Sequence, residues 1–225
     1  MTVEDMKDKD LNLTIVQAVG LGDAWFQCLS KALFEGRTYL IEQGSFEGTH
    51  RKEIPLVAII IQHPGIRPLS PTVPDAVPPP TTDEVIEEYM LYLMTADKKP
   101  NEEYTYGEYL APQIDEVIRR YKLGFDTNQM CMTVGDVSSI LLKDPPCMRV
   151  VDTRIQGGAL HFVVYFRSWD LWGGFPTNLG GLQLLKEYMA KEIGVADGSL
   201  IAFSKGLHLY EHCWDLAKMV LRIEI

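Results

Sequence analysis

Residues Leu160–Ile193 read LHFVVYFRSWDLWGGFPTNLGGLQLLKEYMAKEI, and the pattern changes inside this stretch. Leu160 to Phe166 alternates and is rich in β-branched and aromatic residues, which predicts a strand. From Gly180 to about Ile193 the apolar positions Leu182, Leu184, Leu185, Tyr188 and Met189 predict a long apolar helix. Between them Gly173, Gly174 and Pro176 fit a strand-to-helix turn, with Asp170 or Asn178 available as a cap.

Working outward, the same alternation of element types continues. Upstream, Asp23 to Phe34 suits an amphipathic helix capped near Asp23 and ended by Gly36. Leu56–Gln62 is a β-branched run between Pro55 and Pro64, a buried strand. Residues 63–80 hold seven prolines and form an extended surface loop, because proline removes a backbone donor and fixes φ. Thr82 or Asp83 caps a helix running to about Met94, and a further helix covers roughly Gln113–Tyr121. Short strands are predicted at Met130–Val134, Met148–Val151 and Leu200–Phe203. The mixture indicates an α/β or α+β fold in one domain spanning 1–225.

Bulk properties narrow the function. The chain is 225 residues, 46% hydrophobic and 23% charged, enough for a core without disulfide staples. A net charge of -10 argues against a broad nucleic-acid footprint. An anionic small substrate remains possible, because a few local arginines outweigh the average field. No apolar run approaches a membrane span, and no secretory signal is visible, so a cytoplasmic protein with reduced thiols is expected. The four cysteines form no C-x-x-C pair, so no metal site is expected.

Chemistry concentrates between Asp144 and His212. Cys147 follows Pro145 and Pro146, so its thiol sits on a rigid, irregular entry to a strand. Alone it reads as a small buried hydrophobe; as a nucleophile it needs a nearby cation to lower its pKa, and Arg149 and Arg167 are candidates. Arg167 and Ser168 suit a phosphate, and Asn178 offers a donor and an acceptor together, as a uracil edge requires. His208 and Tyr210 share one side of a strand, which suits a structural pair as well as a ligand contact.

In order, PC, R-S-x-D, G-x-P-x-N and H-x-Y resemble the thymidylate synthase signature. Cys147 to Arg167 is 20 residues, Arg167 to Asn178 is 11 and Arg167 to His208 is 41, spacings similar to the family's. The chain looks like the archaeal branch. The resemblance implies a mixed β-sheet covered by helices, dimerising through the sheet. It implies reductive methylation of dUMP to dTMP by methylene-tetrahydrofolate or methylene-tetrahydromethanopterin. Cys147 would attack C6 of the uracil, and Arg167 would touch the phosphate and keep the thiolate charged. Ser168 would bind phosphate, Asn178 the uracil N3 and O4 edge, His208 and Tyr210 the ribose hydroxyl. Asp170 would orient the reduced pterin, and Ile225 would close over it. Glu88, with Glu87 as alternative, would run a proton relay, and Tyr106 would sit near C5. In a homodimer, Val151, Val163 and Tyr165 would contribute to the apolar sheet face.

The chain differs from the family at three places. Met148 follows the cysteine where the family has His; Asn128 and Gln129 stand where paired arginines reach the partner's phosphate; and the N-terminal phosphate loop is not recognisable. The nearest candidate for that loop is Gly48-Thr49-His50-Arg51-Lys52, so Arg51 is the expected extra phosphate ligand, with Arg37 and Arg149 as alternatives. Rival readings are a pyrimidine nucleotide hydroxymethylase, a silent nucleotide-binding homologue, and a cysteine hydrolase using His208 or His161. No membrane and no obligatory nucleic acid partner are expected.

Overall fold

The computed structural model describes residues 11–44, 46–98, 100 and 102–223. Its frame is a six-stranded mixed sheet. In chain order the strands are β1 (Thr14–Ala18), β4 (Val57–Ile61), β5 (Cys131–Thr133), β6 (Met148–Gln156), β7 (Ala159–Phe166) and β9 (Ala196–Ser204). Their spatial order is β1-β4-β9-β7-β6-β5, with β1/β4 and β7/β9 parallel and the other pairs antiparallel. A second sheet, β2-β3-β10-β8, is built from β2 (Arg37–Leu40), β3 (His50–Ile54), β8 (Trp169–Asp170) and β10 (Leu207–Tyr210).

Among the described residues five α-helices complete the architecture: α1 (Leu21–Glu35), α2 (Asp83–Met94), α3 (Tyr106–Tyr121), α4 (Gly174–Ile193) and α5 (Trp214–Leu221). The inward residues of β7, Leu160, Phe162, Val164 and Phe166, are almost wholly buried, and α4 contributes Phe175, Leu179, Leu182, Leu185 and Met189 to the same core. Each such side chain stabilises the fold by ~1.5–3 kcal/mol relative to exposure. Helix α2 crosses α4 at close range because Gly180 and Gly181 carry no side chain. A Cβ on Gly180 would lie 2.7 Å from Ile86, and one on Gly181 would lie 2.5 Å from the Tyr89 ring.

The predicted helices and strands recur with shifted ends. Helix α1 starts at Leu21, two residues before Asp23, whose carboxylate instead accepts the Val19 N–H at 2.8 Å. It ends at Gly36 as expected. Thr82 caps α2 by accepting the Val85 N–H at 3.4 Å. Helix α3 begins seven residues earlier than expected, capped by Thr105 on the Glu108 N–H at 3.1 Å, and runs through Pro112. Helix α4 starts at Gly174, where Pro176 still lies in the first turn and needs no intrahelical donor. The Pro-rich loop contains no helix or strand, yet it buries Leu69 and Val77.

On the outer face of the large sheet, Val163 pairs with Ile201 and Tyr165 with Phe203, all half-buried. Val151 does not belong to this face. An irregularity between Met148 and Val150 shifts the alternation of β6, so Val151 is fully buried opposite Val164 while Val150 pairs with Tyr165. Among the described residues, no helix is long and apolar enough to cross a membrane.

Candidate active site

Cys147 is the last residue before β6. Because β6 and β7 are antiparallel neighbours, the start of one lies beside the end of the other, and Met148 registers with Phe166. One step further, the Arg167 N–H donates to the Cys147 carbonyl at 2.8 Å. The 20-residue separation is therefore the length of this hairpin, out along β6 and back along β7.

The Arg167 side chain folds back over the same turn. Its Nε donates to the Pro145 and Pro146 carbonyls at 3.2 Å, and its Nη2 reaches Asp144 at 3.0 Å as well as the Pro145 carbonyl. The half-buried Cys147 thiol has its pKa raised, chiefly by burial; Arg167 pulls it down and Asp144 pushes it up. The expected depressed thiol pKa is thus reversed, because burial outweighs the pull of Arg167 and Asp144 adds to the rise. The other described cysteines are less suited to nucleophilic work. Cys28 and Cys213 are buried, with Cys213 pushed up to about 12, and Cys131 lies exposed on β5 beside Asp152.

A tyrosine wall stands next to the thiol. The Tyr106 hydroxyl accepts the Met148 N–H at 3.4 Å. Its pKa is raised by burial and then by Tyr104 and Cys147, so the phenol stays neutral. Tyr104, Tyr92 and Tyr89 surround it with ring centroids 5.9, 5.8 and 6.4 Å away. Gly107 lets the start of α3 press against the Thr95 backbone, which fixes Tyr106 in this group. Tyr104 and its neighbour Asp144 were not anticipated, although tyrosines at 104, 106 and 109 were a visible cluster.

The small sheet supplies the opposite wall. His208 and Tyr210 lie on one side of β10, as expected, with rings 4.7 Å apart. His208 is buried, and burial lowers its pKa. Its Nδ1 must carry the proton, because it lies 3.0 Å from the acceptor-only Gly206 carbonyl. Its Nε2, buried with no partner among the described residues, is then an acceptor. Arg51 sits opposite Tyr210 on β3 and donates to Glu53 at 2.9 Å. Burial raises the Tyr210 pKa, and Asp170, Arg51, Cys147 and Asp144 all act on it electrostatically. This one phenol therefore ties the thiol turn to the small sheet.

The remaining candidates are placed as follows. Asp170 accepts the N–H groups of Trp172, Gly173 and Gly174 at 3.2, 3.1 and 2.8 Å, so it closes the start of α4. Ser168 is half-buried between β7 and β8. Asn178 is half-buried on α4, and its Oδ1 accepts the Trp169 indole N–H at 2.9 Å. Tyr89 is half-buried, and its buried hydroxyl makes no well-formed hydrogen bond among the described residues; Asn178 is close enough to offset its raised pKa in part. Glu87 and Glu88 are both exposed, and α2 presents Tyr89 to this cluster instead. Arg149 turns to the loop at Gly135, and Arg37 lies in register with Glu53 across β2 and β3. Ile225 lies outside the described residues. Asn128 accepts from Arg154, and Gln129 from Arg120 at 3.4 Å.

A cleft of about 250 Å³ opens beside the thiol turn, lined by Tyr92, Glu102, Glu103, Tyr104 and Asp144. A larger cleft of about 660 Å³ lies elsewhere, among Phe26, Val73, Met219 and Leu221, and Arg222 is its one charged lining residue. The chemistry thus gathers at the sheet ends rather than in that larger cleft. A soft nucleophile, two arginines, an amide and neutral hydroxyl and imidazole groups suit a covalent reaction on a phosphorylated, hydrogen-bonding ring.

Comparison with known proteins bears on the family. The family model described as thymidylate synthase matches residues 92–224. A protein of Methanosarcina barkeri named "Putative thymidylate synthase" is 31% identical, covering 92% of this chain and 94% of its own. A protein of the same name from Methanothermobacter thermautotrophicus is 29% identical, covering 90% and 96%. The thymidylate synthase of Symbiobacterium thermophilum is 31% identical over 40% of this chain and 31% of its own.

Proposed function

The chain belongs to the thymidylate synthase family, and from that premise we propose that it methylates C5 of dUMP to give dTMP. The observation that carries the reading is the turn that holds Cys147 against Arg167, with Tyr106 bonded to the next residue. Nucleophile and cation share one turn, and the phenol at the start of α3 is bonded to it.

In this reading the Cys147 sulfur attacks C6 of the uracil. The C5–C6 electron pair moves toward C5 and O4, and the Asn178 amide faces N3 and O4. A reduced pterin, of the tetrahydrofolate or tetrahydromethanopterin class, supplies the one-carbon unit and the hydride. C5 would bond the carbon unit as one of its carbon–nitrogen bonds to the pterin opens, and would lose its proton; the second carbon–nitrogen bond would then break, hydride from the pterin would complete the methyl group, and the thiolate would leave C6, releasing dTMP and the oxidised pterin. Tyr106, neutral beside Cys147, takes the position near C5, where the proton leaves. Glu88 has no direct partner among the described residues and is assigned a relay through water, completed when the ligands cover α2.

Arg167, Ser168 and Arg51 take the phosphate. Arg167 and Arg51 already hold a carboxylate, Asp144 and Glu53 respectively, so a dianionic phosphate competes for charged donors that are already oriented. His208 Nε2 and Tyr210 take the ribose hydroxyl. Asp170 uses three acceptor positions on its backbone bonds and keeps roughly one for the pterin. The outer sheet face with Val163, Tyr165, Ile201 and Phe203 packs against a second copy in a cytoplasmic homodimer.

Anaerobic incubation with dUMP and each methylene-pterin, followed by product mass, tests the reading. dTMP is expected. A hydroxymethyl product would assign the chain to the rival chemistry, and no product with either pterin would oppose the proposal.

A further inference from the structure

We propose that Trp169 determines which pyrimidine Asn178 accepts. The inference rests on the reading of Asn178 as the group facing the base edge. An unrestrained asparagine cannot separate uracil from cytosine. Uracil presents an N3–H donor and an O4 acceptor; cytosine presents an N3 acceptor and an amino donor. The amide matches uracil with Oδ1 at N3 and Nδ2 at O4, and it matches cytosine after a half-turn of its terminal torsion. Discrimination requires a neighbour that makes those two orientations unequal.

Trp169 is such a neighbour. Its indole N–H is a donor only and lies 2.9 Å from Asn178 Oδ1. Flipping the amide would set NH2 against N–H and leave a buried donor unpaired. The indole cannot turn away. Trp169 is 2% exposed and is stacked on Phe166 at 4.0 Å and 5° and on Phe175 at 4.6 Å and 28°. Its backbone N–H is held by the Gly206 carbonyl at 3.0 Å. Oδ1 retains a second lone pair for an N3–H, so the lock orients the amide without consuming it. Trp169 is thus a positioning residue that acts through Asn178.

Calorimetric titration of the full chain with dUMP and with dCMP tests this in wild type and in Trp169→Phe, which keeps an aromatic ring in the stack. Wild type should prefer dUMP, and in the variant that preference should fall about tenfold or more, mainly through tighter dCMP binding. If both affinities fall together with their ratio unchanged, the lock is overturned while the uracil reading stands. If wild type binds neither nucleotide, the reading of the site fails and the lock with it. A second measurement does not depend on the Trp169 variant folding. In ¹⁵N-labelled wild type the Trp169 indole proton should exchange slowly, and in Asn178→Ala about tenfold or more faster; equal rates would overturn the proposal.

Discussion

The Arg167 backbone N–H donates to the Cys147 carbonyl at 2.8 Å, while the Arg167 guanidinium lies 3.0 Å from Asp144. The first bond holds the Arg167 backbone against the thiol turn. The second decides how much of that charge the thiol feels, so Asp144 and Cys147 compete for one guanidinium. That competition makes the reactivity of the nucleophile measurable without any substrate.

Alkylation of Cys147 against pH reads it directly, in a Cys131→Ser background that removes the exposed thiol. Because burial and Asp144 raise the Cys147 pKa, the midpoint should lie above the ordinary thiol value of about 8.5. Asp144→Asn removes a group that stabilises the protonated thiol, so the midpoint should fall. Arg167→Gln removes a group that stabilises the thiolate, so it should rise. A midpoint identical in all three proteins would contradict the arrangement.

The assignment of Arg51 to the phosphate separates dUMP from deoxyuridine. Arg51→Ala should weaken dUMP about tenfold and leave deoxyuridine unchanged, because only the former offers a phosphate for the guanidinium to grip. Equal losses for both ligands, or no loss for either, would remove Arg51 from the phosphate site. The measurement is a pair of calorimetric titrations.

His208 predicts the acid limb of stability. Burial lowers its folded pKa, so below the ordinary imidazole value of about 6.5 the unfolded chain binds a proton that the folded chain refuses. Stability should therefore fall as pH drops from about 6.5 toward the lowered value, and His208→Gln should flatten that part of the curve. Urea unfolding at about pH 7 and about pH 5.5 gives the comparison, and an unchanged slope in the variant would show that another group titrates there.

The α2–α4 crossing predicts a stability cost from one methyl group. Gly181→Ala places a Cβ 2.5 Å from the Tyr89 ring and 3.2 Å from the Met90 nitrogen. Overpacking of this kind costs ~1–3 kcal/mol. A melt unchanged within error would mean that the helices separate freely, and Tyr89 would then not be fixed beside Tyr106.

Much of this site was legible because strand pairing converts spacing into proximity. The interval from Cys147 to Arg167 is a hairpin, and the His208/Tyr210 alternation survived intact on β10. The helices with strong caps were legible too, as at Thr82. Helix α3 was predicted only from about Gln113, the residue after Pro112, although Thr105 and Glu108 have the Thr-x-x-Glu spacing of a capping box. Strands β2 and β3, RTYL and HRKEI, are too short and polar to show a strand period, so the second sheet was invisible. With it went the contact that sets Arg51 beside Tyr210. Asp144 and Trp169 were missed for another reason. Their roles depend on one partner each, Arg167 and Asn178, and pairwise geometry has no signature in a single sequence.

The central claim is that Cys147 adds to C6 of dUMP and thereby makes C5 lose its hydrogen. The most direct measurement is release of tritium from C5-labelled dUMP in the presence of each methylene-pterin, by wild type and by Cys147→Ser. Wild type should release tritium in step with dTMP, and Cys147→Ser should release about a thousandfold less. Release that survives undiminished in Cys147→Ser, or none from a wild type that binds dUMP, would contradict the account.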